Sequence, residues 1–216
     1  MAFTAFTTRD GGVSSSPFDS LNLGTHVGDD QLDVERNRAI IESMFGPTVY
    51  MNQTHSADVV EVEFASIVDG DAIITRTPAL TLAVQVADCI PLLLEGESVV
   101  AAVHVGRRGL VNGITDKVLA KMAGEEIIAY IGPSICGSCY EVGADVYDEV
   151  VSRFPLAAST TPSGGLALDL AGALAAHLTL NSVAVVRDSR CTVEDTSLFS
   201  YRRDGQTGRQ AGLISL

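Results

Sequence analysis

The residues of this 216-residue chain that could carry chemistry stand at the ends of apolar runs. Asp88 and Cys89 interrupt the stretch between residues 82–86 and 90–94, and His104 closes the run 99–103. His55 lies in the polar break Asn52-Gln53-Thr54-His55, ahead of a further apolar stretch at 59–64. A thiol or an imidazole set against buried strands costs free energy unless it finds a partner. A thiol and imidazoles can ligate a metal or act as nucleophile and base. Their separations of 34 and 15 residues match no local zinc spacing. Taken singly, each reads more readily as a structural residue than as a ligand, and spacing does not join them. Arg107 and Arg108 follow His104, and Arg202, Arg203 and Arg209 form a second group. Guanidinium bidentately recognises phosphate or carboxylate, so such groups suit a small anion, with ion pairing to the chain's own carboxylates as the alternative. Cys136-x-x-Cys139 is a lone pair; structural zinc ordinarily needs two, so these are expected to be free thiols and not metal ligands. His26 reads as a loop histidine and His177 as a core histidine on the apolar side of a helix.

These residues need elements to hold them. Apolar runs of five or so residues bounded by turn residues read as fully buried strands, and Glu95-Gly96-Glu97-Ser98 joins two of them as a hairpin. A strand is expected over 2–8, a long polar loop over 9–28, and a helix to residue 44 capped by Asp29 or Asp30. Helical spacing runs through 107–122 as one segment, and again over 144–154 and 169–180, the last capped by Asp169. Strands are expected at 127–131, 183–186 and 211–216, with an irregular stretch at 191–209. Many strands, few helices and no regular alternation between them give an α+β fold with mixed sheets.

Composition sets limits. The formal net charge of −13 argues against nucleic acid as a partner. No apolar run approaches the ~20 residues of a membrane helix, and residues 1–10 lack the pattern of a secretory signal. Four cysteines suggest reduced thiols or metal ligands more than a disulfide framework. The expectation is a cytoplasmic protein of one domain, residues 1–216, monomer or homodimer.

Several stretches, in order, resemble the YfiH-like family, also described as multicopper polyphenol oxidase or laccase-domain proteins and now as zinc-dependent purine nucleoside phosphorylases. They are SLNLGTHVGDD (20–30), NQTHSADVV (52–60), DGDAIIT (69–75), VADCIPLLL (86–94), AAVHVGRRG (101–109), YIGPSICGSCYEVG (130–143), LDL (168–170), and CT with FSYRRDGQTGR (191–209). Each is weak alone; the ordered set is specific and spans nearly the whole chain. The resemblance implies a single domain with mixed β-sheets layered between helices, and a zinc site formed by His55, Cys89 and His104. Copper is the other metal this site admits. It also implies phosphorolysis of adenosine, inosine and methylthioadenosine, and deamination of adenosine. Arg108 and Arg209, and more weakly Asn22, are the candidates to hold phosphate. The family commonly has Gly-Trp-Arg-Gly after the second histidine; here Arg107 replaces the aromatic residue, which bears on how the purine is held. Ser56 stands where the family often has Gly.

Two rivals follow from the same residues. Cys89 as nucleophile with His104 as base would make a cysteine hydrolase; some members of the family this chain resembles carry the label of peptidoglycan-precursor editing, which would be hydrolytic. A copper polyphenol oxidase is disfavoured, because the whole chain has four histidines and copper favours imidazole ligands.

Overall fold

The computed structural model describes residues 2–216. The chain opens with strand β1 (Phe3–Phe6), a long ordered loop and helix α1 (Gln31–Phe45). β2 (Thr48–Asn52), β3 (Val59–Glu61), β4 (Ile67–Asp69) and β5 (Ala72–Thr75) follow. β6 (Thr81–Val86), β7 (Ile90–Glu95) and β8 (Val100–Val105) are the buried runs read from the sequence. Helices α2 (Arg107–Val111) and α3 (Ile114–Lys121) lead to β9 (Ile128–Ile131) and α4 (Ala144–Arg153). A small hairpin, β10 (Ala158–Thr160) and β11 (Leu166–Leu168), precedes α5 (Leu170–Leu180) and β12 (Ala184–Arg187). The short helix α6 (Tyr201–Asp204) and β13 (Gln210–Ser215) end the chain.

The strands form two large mixed sheets, ordered β1-β13-β6-β2-β4 and β12-β9-β7-β8-β5-β3. They pack face to face through Leu82, Val84 and Ile214 of one and Ile73, Leu93 and Ala102 of the other. The outer face of the six-stranded sheet, through Leu92, Leu94, Ala101 and Val103, is covered by Leu110, Ile114, Val118 and Leu174 from the helices. Ile41 of α1 covers Ala83 and Leu213 on the outer face of the other sheet. The sheets are therefore layered between helices, as expected. The apolar runs show no in-out alternation because both faces of β7 and β8 are covered, and burial rewards every position.

The expected β7–β8 hairpin is present, pairing Ile90 with Val105 through Glu95 with Val100. Asp30 caps α1, its carboxylate accepting from the Leu32 N–H at 2.8 Å. Two local readings are corrected. The helix expected over 107–122 is broken at Asn112-Gly113, where Gly113 takes a left-handed φ of 72°, a conformation cheap only for glycine. His177 is not a core residue: its side chain is 24% exposed and its Nε2 bonds Asp116 Oδ1 at 2.6 Å.

The topology places the site. β2 and β6 belong to one sheet, β3 and β7 to the other. The links 53–58 and 87–89 are thus the two places where these strands hand the chain across, and β8 ends beside them. His55, Cys89 and His104 lie on those three segments.

Candidate metal centre

His55, Cys89 and His104 converge. One ligand atom from each lies within 4.8 Å of the others, and the two imidazole centroids are 4.8 Å apart at 76°. The backbone closes the third side at Gly106. A Cβ there would lie 3.2 Å from both Cys89 Sγ and His55 Cδ2, close enough that thiol or ring would have to give by a few tenths of an ångström. Gly106→Ala is expected to push thiol and ring apart and weaken metal binding roughly tenfold, the low end of what disturbing a ligand's supports costs. Chelator competition measures this, and an unchanged affinity would refute the contact.

The organiser of the centre is Asp71, fully buried just before β5. Its Oδ1 accepts from His104 Nδ1 at 2.7 Å and from the His55 N–H at 3.0 Å. Its Oδ2 accepts from the Ser56 N–H at 2.6 Å and the Thr54 N–H at 3.2 Å. One carboxylate therefore fixes the tautomer of His104, leaving Nε2 to face Cys89. It also holds the backbone of His55 at φ 60°, a left-handed conformation uncommon outside glycine. Burial would raise the Asp71 carboxyl, but hydrogen bonds from His104 and Ser56 outweigh it and hold the group well below the usual carboxylate range. The sequence reading gave Asp71 no role.

Burial alone would push the Cys89 thiol up; His104, then His55, bring it down to about 6. Burial would lower His104, but Cys89 and Asp71 carry it up to about 9. Both shifts favour the charged forms, thiolate and imidazolium, and a divalent cation held here would take the place of the imidazolium proton.

Asp88, at φ 96°, ties the late part of the chain over the centre. Its Oδ1 accepts from Thr192 Oγ1 at 2.6 Å and Ser200 Oγ at 2.7 Å, and its Oδ2 from the Arg202 N–H at 2.6 Å. The result is a cavity of about 420 Å³ with His55, Cys89 and His104 in its wall, within the range of small-molecule sites. Tyr140, Ile135 and Tyr201 give it apolar surface, and Arg202 and Arg209 give it charge. His26, expected as a plain loop residue, also lines it. Burial lowers its pKa, with Arg209 adding to the effect. Gln85 lines the same cavity at 3% exposure, and its Nε2 has no partner among the described residues.

Arg107 and Arg108 line an adjoining space of about 280 Å³ together with His55, Cys89 and Tyr140. Arg107 is ion-paired to Glu149 on α4, whereas Arg108 has no carboxylate partner among the described residues. Asn22 is corrected: it is fully buried, and its amide is spent on Gly24 O, Asp29 Oδ2, the Gly24 N–H and the Arg209 N–H. It positions Arg209 and does not face the cavity. Arg203 likewise serves the fold, donating to the carbonyls of Thr192 and Leu198.

All four cysteines are free thiols. The reading of Cys136 and Cys139 as an isolated pair is also corrected. Cys191 and Glu194 join them, with one ligand atom from each of the four residues within 4.8 Å of the others.

A family model described as multi-copper polyphenol oxidoreductase laccase matches residues 3–216. A purine nucleoside phosphorylase of Corynebacterium glutamicum is 44% identical, over 98% of this chain and 93% of its own. One from Haemophilus influenzae is 35% identical, over 99% and 93%. Among solved structures, a Neisseria meningitidis protein of the DUF152 family superposes with a TM-score of 0.92 at 40% identity, covering 100% of this chain and 94% of that one. The Bacillus licheniformis protein YfiH gives 0.90 at 31% identity, covering 100% and 92%. With its two sheets, its converging His55, Cys89 and His104, and these matches along its length, the chain belongs to the multi-copper polyphenol oxidoreductase laccase family, the YfiH-like proteins.

Proposed function

We propose that this chain is a zinc-dependent purine nucleoside phosphorylase of the cytoplasm, acting on adenosine, inosine and methylthioadenosine, with adenosine deamination as a second activity of the same site. The observation that carries the reading is the convergence of His55, Cys89 and His104 in the wall of a cavity of nucleoside size. The names of relatives at 35–44% identity support it.

The donors suit zinc. Two imidazoles and one thiolate leave a fourth position open, the pattern of a catalytic site. Tetrahedral N and S ligands stand about 3.3–3.8 Å apart, so atoms within 4.8 Å need only a small contraction. Bound there, zinc supplies Lewis acidity at the open position. The family description names copper, and copper is the alternative occupant. The four histidines of the chain cannot furnish the imidazoles of a multicopper centre: His177 is bonded to Asp116 on the helical side.

In phosphorolysis a phosphate oxygen bonds to C1′ of the ribose. The C1′–N9 bond breaks, and the purine leaves with the electron pair and takes up a proton. Arg108 holds phosphate in the smaller space, and Arg209 adds positive potential from the larger one. Tyr140 and Ile135 face the purine ring. The orphaned Gln85 Nε2–H donates to an acceptor on the purine edge, because a buried donor left unmade costs about 1–3 kcal/mol. Gln85→Leu is expected to alter the ratio of adenosine to inosine turnover by about tenfold, with zinc content unchanged; an unaltered ratio would remove Gln85 from base recognition.

The chain Asp71–His104–Cys89 also has the form of a nucleophile, base and orienting carboxylate, which favours the cysteine hydrolase as second reading. The decisive experiment follows free base and inosine released from adenosine by metal-analysed protein, with and without phosphate. Base release that needs both phosphate and zinc is expected. Activity that survives chelation and is abolished by thiol alkylation would instead establish the hydrolase.

A further inference from the structure

A second group of side chains able to ligate a metal lies outside the His55–Cys89–His104 centre. Cys136 and Cys139 come from the loop after β9, and Cys191 and Glu194 from the segment after β12. Paired in this way the residues read Cys-x-x-Cys and Cys-x-x-Glu, two two-residue-spaced half-sites of the type that builds structural zinc centres. The second half-site is invisible to cysteine counting because its last ligand is a carboxylate.

The backbone is already arranged for it. Thr192 N–H donates to Ser134 O at 3.2 Å, and Ser134 and Cys191 form a parallel bridge between the two segments. Cys136 N–H donates to Cys191 Sγ at 3.3 Å, and Ser138 Oγ lies 3.1 Å from Cys136 Sγ; both contacts can stabilise a thiolate. Cys139 Sγ is 3.7 Å from Glu194 Oε1. Tetrahedral thiolates on zinc stand about 3.8 Å apart, so a cluster within 4.8 Å closes on a cation by about 1 Å.

We infer that Cys136, Cys139, Cys191 and Glu194 form a second, structural site for a zinc-class divalent cation, separate from the His55–Cys89–His104 centre. Its place explains what it does. The first segment carries Ile135 and Tyr140 into the cavity wall; the second carries Thr192, bonded to Asp88 beside Cys89. A cation there staples the two segments that shape the cavity. The inference is independent of the nucleoside reading.

The test is titration of reduced, metal-free full-length protein with Co²⁺, read by the thiolate-to-cobalt absorption. Wild type is expected to take up two equivalents. Cys89→Ser should keep one, with the absorption of three thiolates, and Cys136→Ser/Cys191→Ser should keep one, with the absorption of a single thiolate. Should that double variant fail to fold, the exposed Glu194 gives a gentler change: Glu194→Gln should weaken one equivalent at least roughly tenfold and leave the other alone. Loss of all binding in Cys89→Ser overturns the inference, as does a wild type that binds one equivalent through Cys89 alone. A wild type that binds one equivalent surviving in Cys89→Ser upholds it while removing the first site.

Discussion

Asp71→Ala should unfold at a free energy about 3–5 kcal/mol lower than wild type, the cost of stripping one partner from a buried charged network. The size comes from what is orphaned. The N–H groups of Thr54, His55 and Ser56 and the Nδ1–H of His104 all point at this one carboxylate, and each buried donor left unmade costs about 1–3 kcal/mol. Asp71→Asn is the sharper probe. It preserves volume and one oxygen acceptor but turns an amide N–H toward a donor, so His104 loses the partner that fixes its tautomer. Zinc affinity should fall about 10–100-fold, as it does when the carboxylate behind a ligating histidine is removed. The pH dependence has a definite sign. Because the folded carboxyl sits below its ordinary value, its contribution is complete above the unfolded pKa of about 4 and is lost as pH falls through the lower folded value. The stability gap between wild type and Asp71→Asn, measured by urea unfolding, should be widest at about pH 5 to 6 and narrow below about 4 as the carboxylate is protonated; because Asp71 also helps carry His104 up to about 9, the gap should narrow again as pH rises from about 6.5 toward that value. A gap that persists under acid, or that closes only on the alkaline side, would show that Asp71 is not held as the charged acceptor.

That Asp71 escaped the sequence reading while His55, Cys89 and His104 did not has a physical reason. The three candidate ligands break apolar runs, and a polar residue at the mouth of a buried strand stands out because its burial needs a partner. Asp71 follows Asp69-Gly70, where a carboxylate is ordinary turn chemistry, and only the tertiary fold brings His104 against it from 33 residues away. The layers were legible for the complementary reason: with both faces covered, β7 and β8 have apolar residues at nearly every position. What pairs with what was not. Nothing local says that β6 and β7, three residues apart, belong to different sheets, yet that crossing is what sets Cys89 beside the other two ligands. Asn22 misled in the opposite sense. It sits in a loop rich in polar residues, but Asn37 on α1 ties that loop down through Ser14 Oγ, Ser20 O and Asn22 O, and the Asn22 side chain is folded inside it.

Arg108→Lys is expected to keep zinc and fold and to lose about 30–150-fold in phosphorolysis, the equivalent of a charge-assisted contact of ~2–3 kcal/mol. The loss should appear mainly in the KM for phosphate. Arg108 shares its space with His55 and Cys89, so an anion bound there would lie beside the candidate metal ligands, and a planar guanidinium can grip two phosphate oxygens where an ammonium offers a point charge. Fold is spared because no carboxylate among the described residues depends on Arg108. Arg107 is the internal control. It lines the same space but is committed to Glu149, so Arg107→Trp, which restores the aromatic residue common in the family, should shift nucleoside preference more than phosphate use. Deamination of adenosine requires no phosphate and should therefore suffer less than phosphorolysis in Arg108→Lys. Equal loss of both reactions, or of neither, would place Arg108 outside phosphate binding, and the anion would then have to be held from the opposite wall, where Arg209 is fixed by Asn22 and by the carbonyls of Thr207 and Gly208.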